Sequence, residues 1–171
     1  MADKKRNKVA IIMGSDSDLT VAAPALRRLN AFGITSEVRV ISAHRTPDVA
    51  MDFAKNARAN GFCAIIAIAG KAAHLAGILA ANTTIPVIGV PVKTDALDGM
   101  DALLSTVMMP TGVPVATVAI NGADNAAILA IEMMAITDDN LAARMQDLKT
   151  GRAAKTQKND STIKARLEEI L

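Results

Sequence analysis

The chain has no tryptophan and no tyrosine, and three phenylalanines are its only aromatic side chains apart from histidine. A core must therefore be packed from Ala, Ile, Leu, Val and Met, and a surface that binds nucleic acid by stacking bases on aromatic rings is not available. Cysteine is almost absent too: Cys63 alone forms no internal disulfide and no thiolate metal cluster. Its setting, Phe62-Cys63-Ala64-Ile65-Ile66, is that of a small residue in a buried strand. No apolar run reaches the about 18 residues a membrane helix needs, and no signal-peptide stretch precedes the first strand-like segment. Strong charge of either sign is lacking as well, with 19 Lys and Arg against 17 Asp and Glu. The basic clusters, Lys4-Lys5-Arg6-Lys8 and residues 149–158, lie near the chain ends, where they suit solvated tails. The expectation is a cytoplasmic protein with neither a membrane nor a nucleic acid as partner.

What the chain has in quantity is small apolar residues. Hydrophobic residues make up 51% of the 171 positions and charged ones 21%. That is more than one domain needs for its core, and the surplus points to surface buried between copies in a homo-oligomer.

Short Val/Ile-rich runs alternate with helical patterns, the order that builds a parallel sheet covered on both faces. Strands are expected at residues 8–13, 37–41, 64–69, 86–90 and 115–120. Helices are expected at 17–32, 47–60, 72–82, 99–107, 123–136 and 139–149. Pro24 should kink the first or shift its start, while Thr46 and Pro47 suit the N-cap and first position of the second. Residues 1–150 form the catalytic domain in this reading, and 151–171 a linker and a C-terminal amphipathic helix. Ile163, Leu167, Ile170 and Leu171 share one side of that helix and call for a partner surface, on the domain or on a neighbouring subunit. Five parallel strands joined by right-handed crossovers give a doubly wound, flavodoxin-like three-layer sandwich, in which ligands bind beyond the carboxyl ends of the strands where strand order switches.

Three loops meet that description. Met13-Gly14-Ser15-Asp16-Ser17-Asp18 follows the first strand: its glycine, hydroxyls and helix start suit a phosphate and its acid suits ribose hydroxyls, although the same residues equally suit helix capping. Ser42-Ala43-His44-Arg45-Thr46-Pro47 follows the second: Arg45 can clamp a phosphate and His44 can move protons near neutral pH. Gly70-Lys71-Ala72-Ala73-His74-Leu75 follows the third. There Lys71 either holds a carboxylate or faces solvent, and His74 is either structural or catalytic. No nucleotide P-loop, dinucleotide fingerprint, metal-ligand spacing or nucleophile elbow occurs, which disfavours ATP-driven and nicotinamide-driven chemistry.

With these loops in place, the chain resembles the PurE family of N5-carboxyaminoimidazole ribonucleotide mutases. The matching pieces are Met13-Gly14-Ser15-x-Ser17-Asp18, Ser42-Ala43-His44-Arg45-Thr46-Pro47, Ala72-Ala73-His74-Leu75, the run 86–92, and Met109-Pro110-x-Gly112-Val113-Pro114-Val115. The resemblance implies carboxyl transfer from the exocyclic nitrogen to ring carbon C4 of a purine-precursor ribonucleotide. It also implies no metal or organic cofactor and a homo-octamer. By the same resemblance Ser15 and Arg45 hold phosphate, Asp18 holds ribose and His44 is the general acid/base. Ser17, Ser42, Ala43, Gly70, Lys71, Ala72 and Leu75 would complete the substrate site. The chain departs from the family pattern at Leu19 (commonly Trp), Lys71 (the second Gly of a pair), Ala76 (Pro) and Met108 (Gln). Lys71 keeps open a direct carboxylase using CO2. A non-catalytic nucleotide-binding module is the alternative of another class; it leaves His44 and Arg45 without a reason.

Overall fold

The computed structural model describes residues 7–168 and Ile170. Five parallel strands, β1 (Lys8–Met13), β2 (Thr35–Val40), β3 (Phe62–Gly70), β4 (Val87–Val92) and β5 (Ala116–Thr117), form one sheet in the order β2-β1-β3-β4-β5. Six α-helices accompany them among the described residues: α1 (Leu19–Ala31), α2 (Pro47–Ala57), α3 (Leu75–Ala81), α4 (Met100–Val107), α5 (Ala123–Ala135) and α6 (Asp139–Glu168). The fold is flavodoxin-like, and the strand order switches between β1 and β3.

β1 and β3 are apolar on both faces because helices cover both. Ala10, Ile12, Ile65 and Ala67 belong to a core with Ala50, Phe53 and Ala54 of α2 and with Leu75, Ala76 and Leu79 of α3. On the opposite pleat Val9, Ile11, Ala64, Ile66 and Ile68 are equally buried. The expectation of burial on both faces fails at β2. It is an edge strand carrying Thr35, Ser36, Glu37 and Arg39, and Val40 is 52% exposed. Lys8 pairs with Glu37 across the β1–β2 step, and its ammonium sits 4.3 Å from the Phe62 ring centroid.

β5 is shorter than its apolar run suggests. Pro114 removes a ladder donor before it and Asn121, at φ 58°, turns the chain after it. Backbone bonds from Val118 N to Gly89 O (3.1 Å) and from Asn121 N to Pro91 O (2.8 Å) continue the alignment beyond the strand. Glycine is required in β4: a Cβ on Gly89 would collide with the methyl of Thr106, a buried residue of α4. α1 runs through Pro24 instead of starting at it, because a 3-10 turn at Asp16–Asp18 sets its start at Leu19. Arg28 of α1 makes a two-pronged bond to Asp124 in the first turn of α5, at 2.8 and 3.1 Å.

The chain divides into two compact units, one up to Ala130 and the other from Ile131 on, so the division falls inside α5 and not at residue 150. In the second unit Asp138 caps α6 by accepting from Asn140 N and Leu141 N, and Lys149 pairs with Glu132 at 2.8 Å. The expected linker and separate last helix are replaced by one continuous helix to Glu168. Residues 150–159 are mostly Lys, Arg, Ala, Gln and Thr, with one glycine and no proline, so nothing stops the helix. Ser161 lies inside this helix, and its hydroxyl donates back to Lys158 O at 2.9 Å. Ile163, Leu167 and Ile170 are exposed. Leu171 and the basic residues Lys4, Lys5 and Arg6 lie outside the described residues.

Candidate functional site

A cavity of about 590 Å³ opens where the carboxyl ends of β1, β2, β3 and β4 meet, and all three loops singled out from the sequence line it. The first loop is tied to β3 by Gly14 N donating to Ile68 O at 2.9 Å. Ser15 then opens the 3-10 turn as a capping box: its hydroxyl accepts from Ser17 N, and its own N–H donates to Asp18 Oδ2 at 3.1 Å. The Ser15 and Ser17 hydroxyls lie 3.0 Å apart, and Ser15 Oγ donates to Asp16 Oδ1 at 3.1 Å. The expected capping is present, and the caps hold Ser15, Ser17 and Asp18 on the cavity wall. Asp18 is 7% exposed, and that burial raises its pKa above the usual carboxylate value. The Ser15 N–H works against the rise, the Asp16 charge adds to it, and the Gly14 N–H opposes it again.

The second loop is knotted around Ser42. Its N–H donates to Thr46 Oγ1 at 3.0 Å, and that hydroxyl donates back to Ser42 O at 3.0 Å. Thr46 therefore spends its side chain inside the loop and makes no cap bond to α2, contrary to the simple N-cap expectation. Ser42 Oγ accepts from Arg45 N (3.1 Å) and Arg45 Nε (3.4 Å), while Arg45 Nη2 reaches Gly14 O at 3.4 Å. The guanidinium is thereby held beside the serines of the first loop. Ala43 and His44 complete this wall.

On the third side the chain leaves β3 at Gly70 and turns at Lys71, whose φ is 56°. That left-handed residue ends the strand direction and delays α3 to Leu75, so the helix does not begin at Ala72 as its sequence suggests. His74 is the residue before the helix, not one inside it. Its Nδ1 stands 2.8 Å from His44 Nε2, with the rings nearly perpendicular at 80°. Ala72 and Leu75 line the same wall.

Every residue expected at the site thus faces one cavity. Val92, the last residue of β4, and Thr94, two residues beyond it, also line it and were not among those expected. The rule that ligands bind past strand ends would have reached them, had the fourth strand end been given the weight of the first three. Among the described residues no three His, Cys, Asp or Glu side chains are grouped to hold a metal ion.

The fold and cavity define a flavodoxin-like α/β protein with a cavity at the topological switch point, where such folds bind ligands. The chain belongs to the AIR carboxylase family, whose model matches residues 8–155. It is 50% identical over 156 residues to an N5-carboxyaminoimidazole ribonucleotide mutase of Methanocaldococcus jannaschii, covering 91% of this chain and 97% of that one. A second relative of the same description, from Mycobacterium tuberculosis, is 54% identical over 141 residues, covering 82% and 81% of the two chains. Among solved structures, Treponema denticola PurE superposes with a TM-score of 0.83 at 30% identity, over 91% of this chain and 97% of that one.

Proposed function

We propose that the protein is an N5-carboxyaminoimidazole ribonucleotide mutase of purine biosynthesis, moving a carboxyl group from N5 to C4. The observation that carries this reading is the meeting of a hydroxyl-and-guanidinium wall with an imidazole pair in one cavity. The names of the relatives support the same activity. Ser15, Ser17 and Arg45 hold the phosphate, and Asp18 accepts from the ribose hydroxyls. Ser42 holds Arg45 in place, while Ala43, Gly70, Ala72 and Leu75 give the heterocycle close, uncharged walls.

His44 is the general acid/base. With Nε2 engaged by His74, its free nitrogen is Nδ1. When the shared proton sits on His44 Nε2, Nδ1 is bare and basic; once Nδ1 is protonated, the imidazolium keeps donating to His74 through Nε2. His44 gives its Nδ1 proton to N5 as the N5–carboxyl bond breaks, releasing CO2 and a neutral amine. The amine enriches C4, and the C4 electron pair attacks CO2 to form the new carbon–carbon bond. His44 then takes the C4 proton, which restores the starting state. Acid/base help of this kind is worth about 10²–10⁴-fold, and holding CO2 beside C4 supplies the proximity.

The reading includes a cytoplasmic homo-octamer. An oligomer is supported by an exposed apolar line on and around α4: Leu97, Met100, Leu104, Val107 and Met108. Light scattering on the purified chain tests the octamer, and a monodisperse monomer refutes it. The activity is tested by giving the enzyme N5-carboxyaminoimidazole ribonucleotide, or aminoimidazole ribonucleotide with CO2, and following 4-carboxyaminoimidazole ribonucleotide. Turnover of the first supports the mutase, turnover of the second alone supports a direct carboxylase, and turnover of neither overturns the reading.

A further inference from the structure

The roles above leave the far end of the cavity unexplained. Its wall there comes from Lys71, just after β3, from Val92 at the end of β4 and from Thr94 beyond it. Lys71 is held at φ 56°, a left-handed backbone that a lysine adopts only against a free-energy cost. Among the described residues no carboxylate lies within ion-pair distance of its ammonium. Thr94 is idle in a different way. Its Oγ1 is sealed from water and has no hydrogen-bond partner among the described residues, and its methyl is pressed toward Gly70, where a Cβ would come within 3.0 Å. A hydroxyl left in that state is destabilising until something bonds to it, and a single χ1 step exchanges methyl for hydroxyl in the same outline.

The charges are one-sided as well. Among the described residues Asp18 is the only carboxylate on the cavity wall, and it lies with the first loop, bound to Ser15 N. Arg45 follows β2 and Thr94 follows β4, and β1 and β3 lie between those strands. Three interstrand steps place the two ends about 14 Å apart, a fair match to a ribonucleotide lying lengthwise. The cavity thus has one cation, Arg45, at its β2 end and a second, Lys71, after β3, two interstrand steps or about 10 Å along toward Thr94, and it suits a molecule with an anion at both ends.

We propose that Lys71 and Thr94 form a carboxylate subsite toward the end opposite the phosphate, gripping the carboxyl group that migrates. An ammonium and a hydroxyl can both donate to one carboxylate, and neutral CO2 is bound more loosely, so the group is free to change its attachment between the two grips. This inference rests on the carboxyl-transfer reading.

Titration calorimetry with 4-carboxyaminoimidazole ribonucleotide and with aminoimidazole ribonucleotide, which lacks the carboxyl, separates the two ideas. Lys71→Met and the isosteric Thr94→Val are each expected to lose about tenfold in affinity for the carboxylated ligand, with the other ligand bound as by wild type. Lys71→Gly is expected to show the same selective loss while melting at a higher temperature, because the backbone strain is relieved. Equal losses for both ligands, or none for either, overturn the subsite while leaving the mutase standing. A wild type that binds neither ligand removes the mutase reading and the subsite together.

Discussion

His44 Nε2 and His74 Nδ1 stand 2.8 Å apart, so a single proton lies between them and each ring fixes the tautomer of the other. The two rings come from loops after different strands, and the contact forms because Lys71 turns the chain before α3 and leaves His74 at its mouth. His44→Asn should fold and bind ribonucleotide as the parent does, yet lose about 10²–10⁴-fold in kcat. His74→Phe keeps the ring volume but offers no acceptor. It should lower kcat by a smaller factor and slow exchange of the C4 proton of aminoimidazole ribonucleotide into deuterated water, measured by proton NMR. Parent-like exchange in both variants would show that neither imidazole handles that proton.

Arg45 and Asp16 act on the same small volume with opposite charge. Arg45 is aimed by Ser42 and Gly14, whereas Asp16 draws the Ser15 hydroxyl toward itself. Arg45→Met should weaken ribonucleotide binding by tenfold or more, on the order of one lost charge-assisted bond. Binding by that variant should also depend less on salt. Asp16→Asn should tighten binding by about threefold, the scale of an exposed charge interaction. Calorimetry across a salt series checks both; unchanged affinity in Arg45→Met would place the phosphate elsewhere.

The sheet and the first three strand ends were legible in the sequence because apolar period and glycine or proline punctuation are local signals. β1 matches its expected bounds, and the strand-end rule brought His44, Arg45 and Ser15 together without knowledge of any contact. Details set by tertiary structure were not legible. Whether Val40 is buried depends on β2 being at an edge, which composition does not encode. The start of α3 depends on a left-handed lysine that no propensity favours. Residues 150–159 read as a linker from their polarity, although their helix propensity was the better guide. Thr94 was missed because a lone threonine after a buried strand looks like any other loop residue until its hydroxyl is seen without a partner.

Gly89 sets how closely α4 can approach the sheet. Adding a methyl there drives it into Thr106 Cγ2, and Thr106 is itself locked by its hydroxyl donating to Ala102 O at 2.7 Å. Gly89→Ala should destabilise the fold by about 1–3 kcal/mol, the usual penalty of overpacking. Thr106→Ser keeps that hydroxyl and removes the colliding methyl, so Gly89→Ala/Thr106→Ser should recover much of the loss. Urea midpoints for the four members of the cycle measure the coupling. Additive effects would mean that the strain falls on Val115, the next neighbour at 3.0 Å.

Asp18 should trade stability for binding. Burial raises its pKa in the folded protein above the ordinary carboxylate value, the Ser15 and Gly14 N–H groups only partly offsetting it. Below the unfolded-state pKa both states hold the proton, and Asp18 makes no difference to stability. As pH rises through the window up to the raised folded value, the unfolded chain ionises first, so stability falls; above that window the loss is constant. Asp18→Asn cannot ionise and still offers Ser15 N an acceptor. It should therefore unfold at higher temperature than the parent at pH 7, with the gap closing as the pH falls below the ordinary carboxylate range. The same variant should bind ribonucleotide about tenfold or more weakly, because a neutral amide is a poorer acceptor for ribose hydroxyls than a carboxylate. Calorimetric melting at pH 3 and pH 7, paired with ligand titration, tests both halves. A variant less stable than the parent at pH 7 would mean that the charged bond to Ser15 N outweighs the desolvation of the carboxylate.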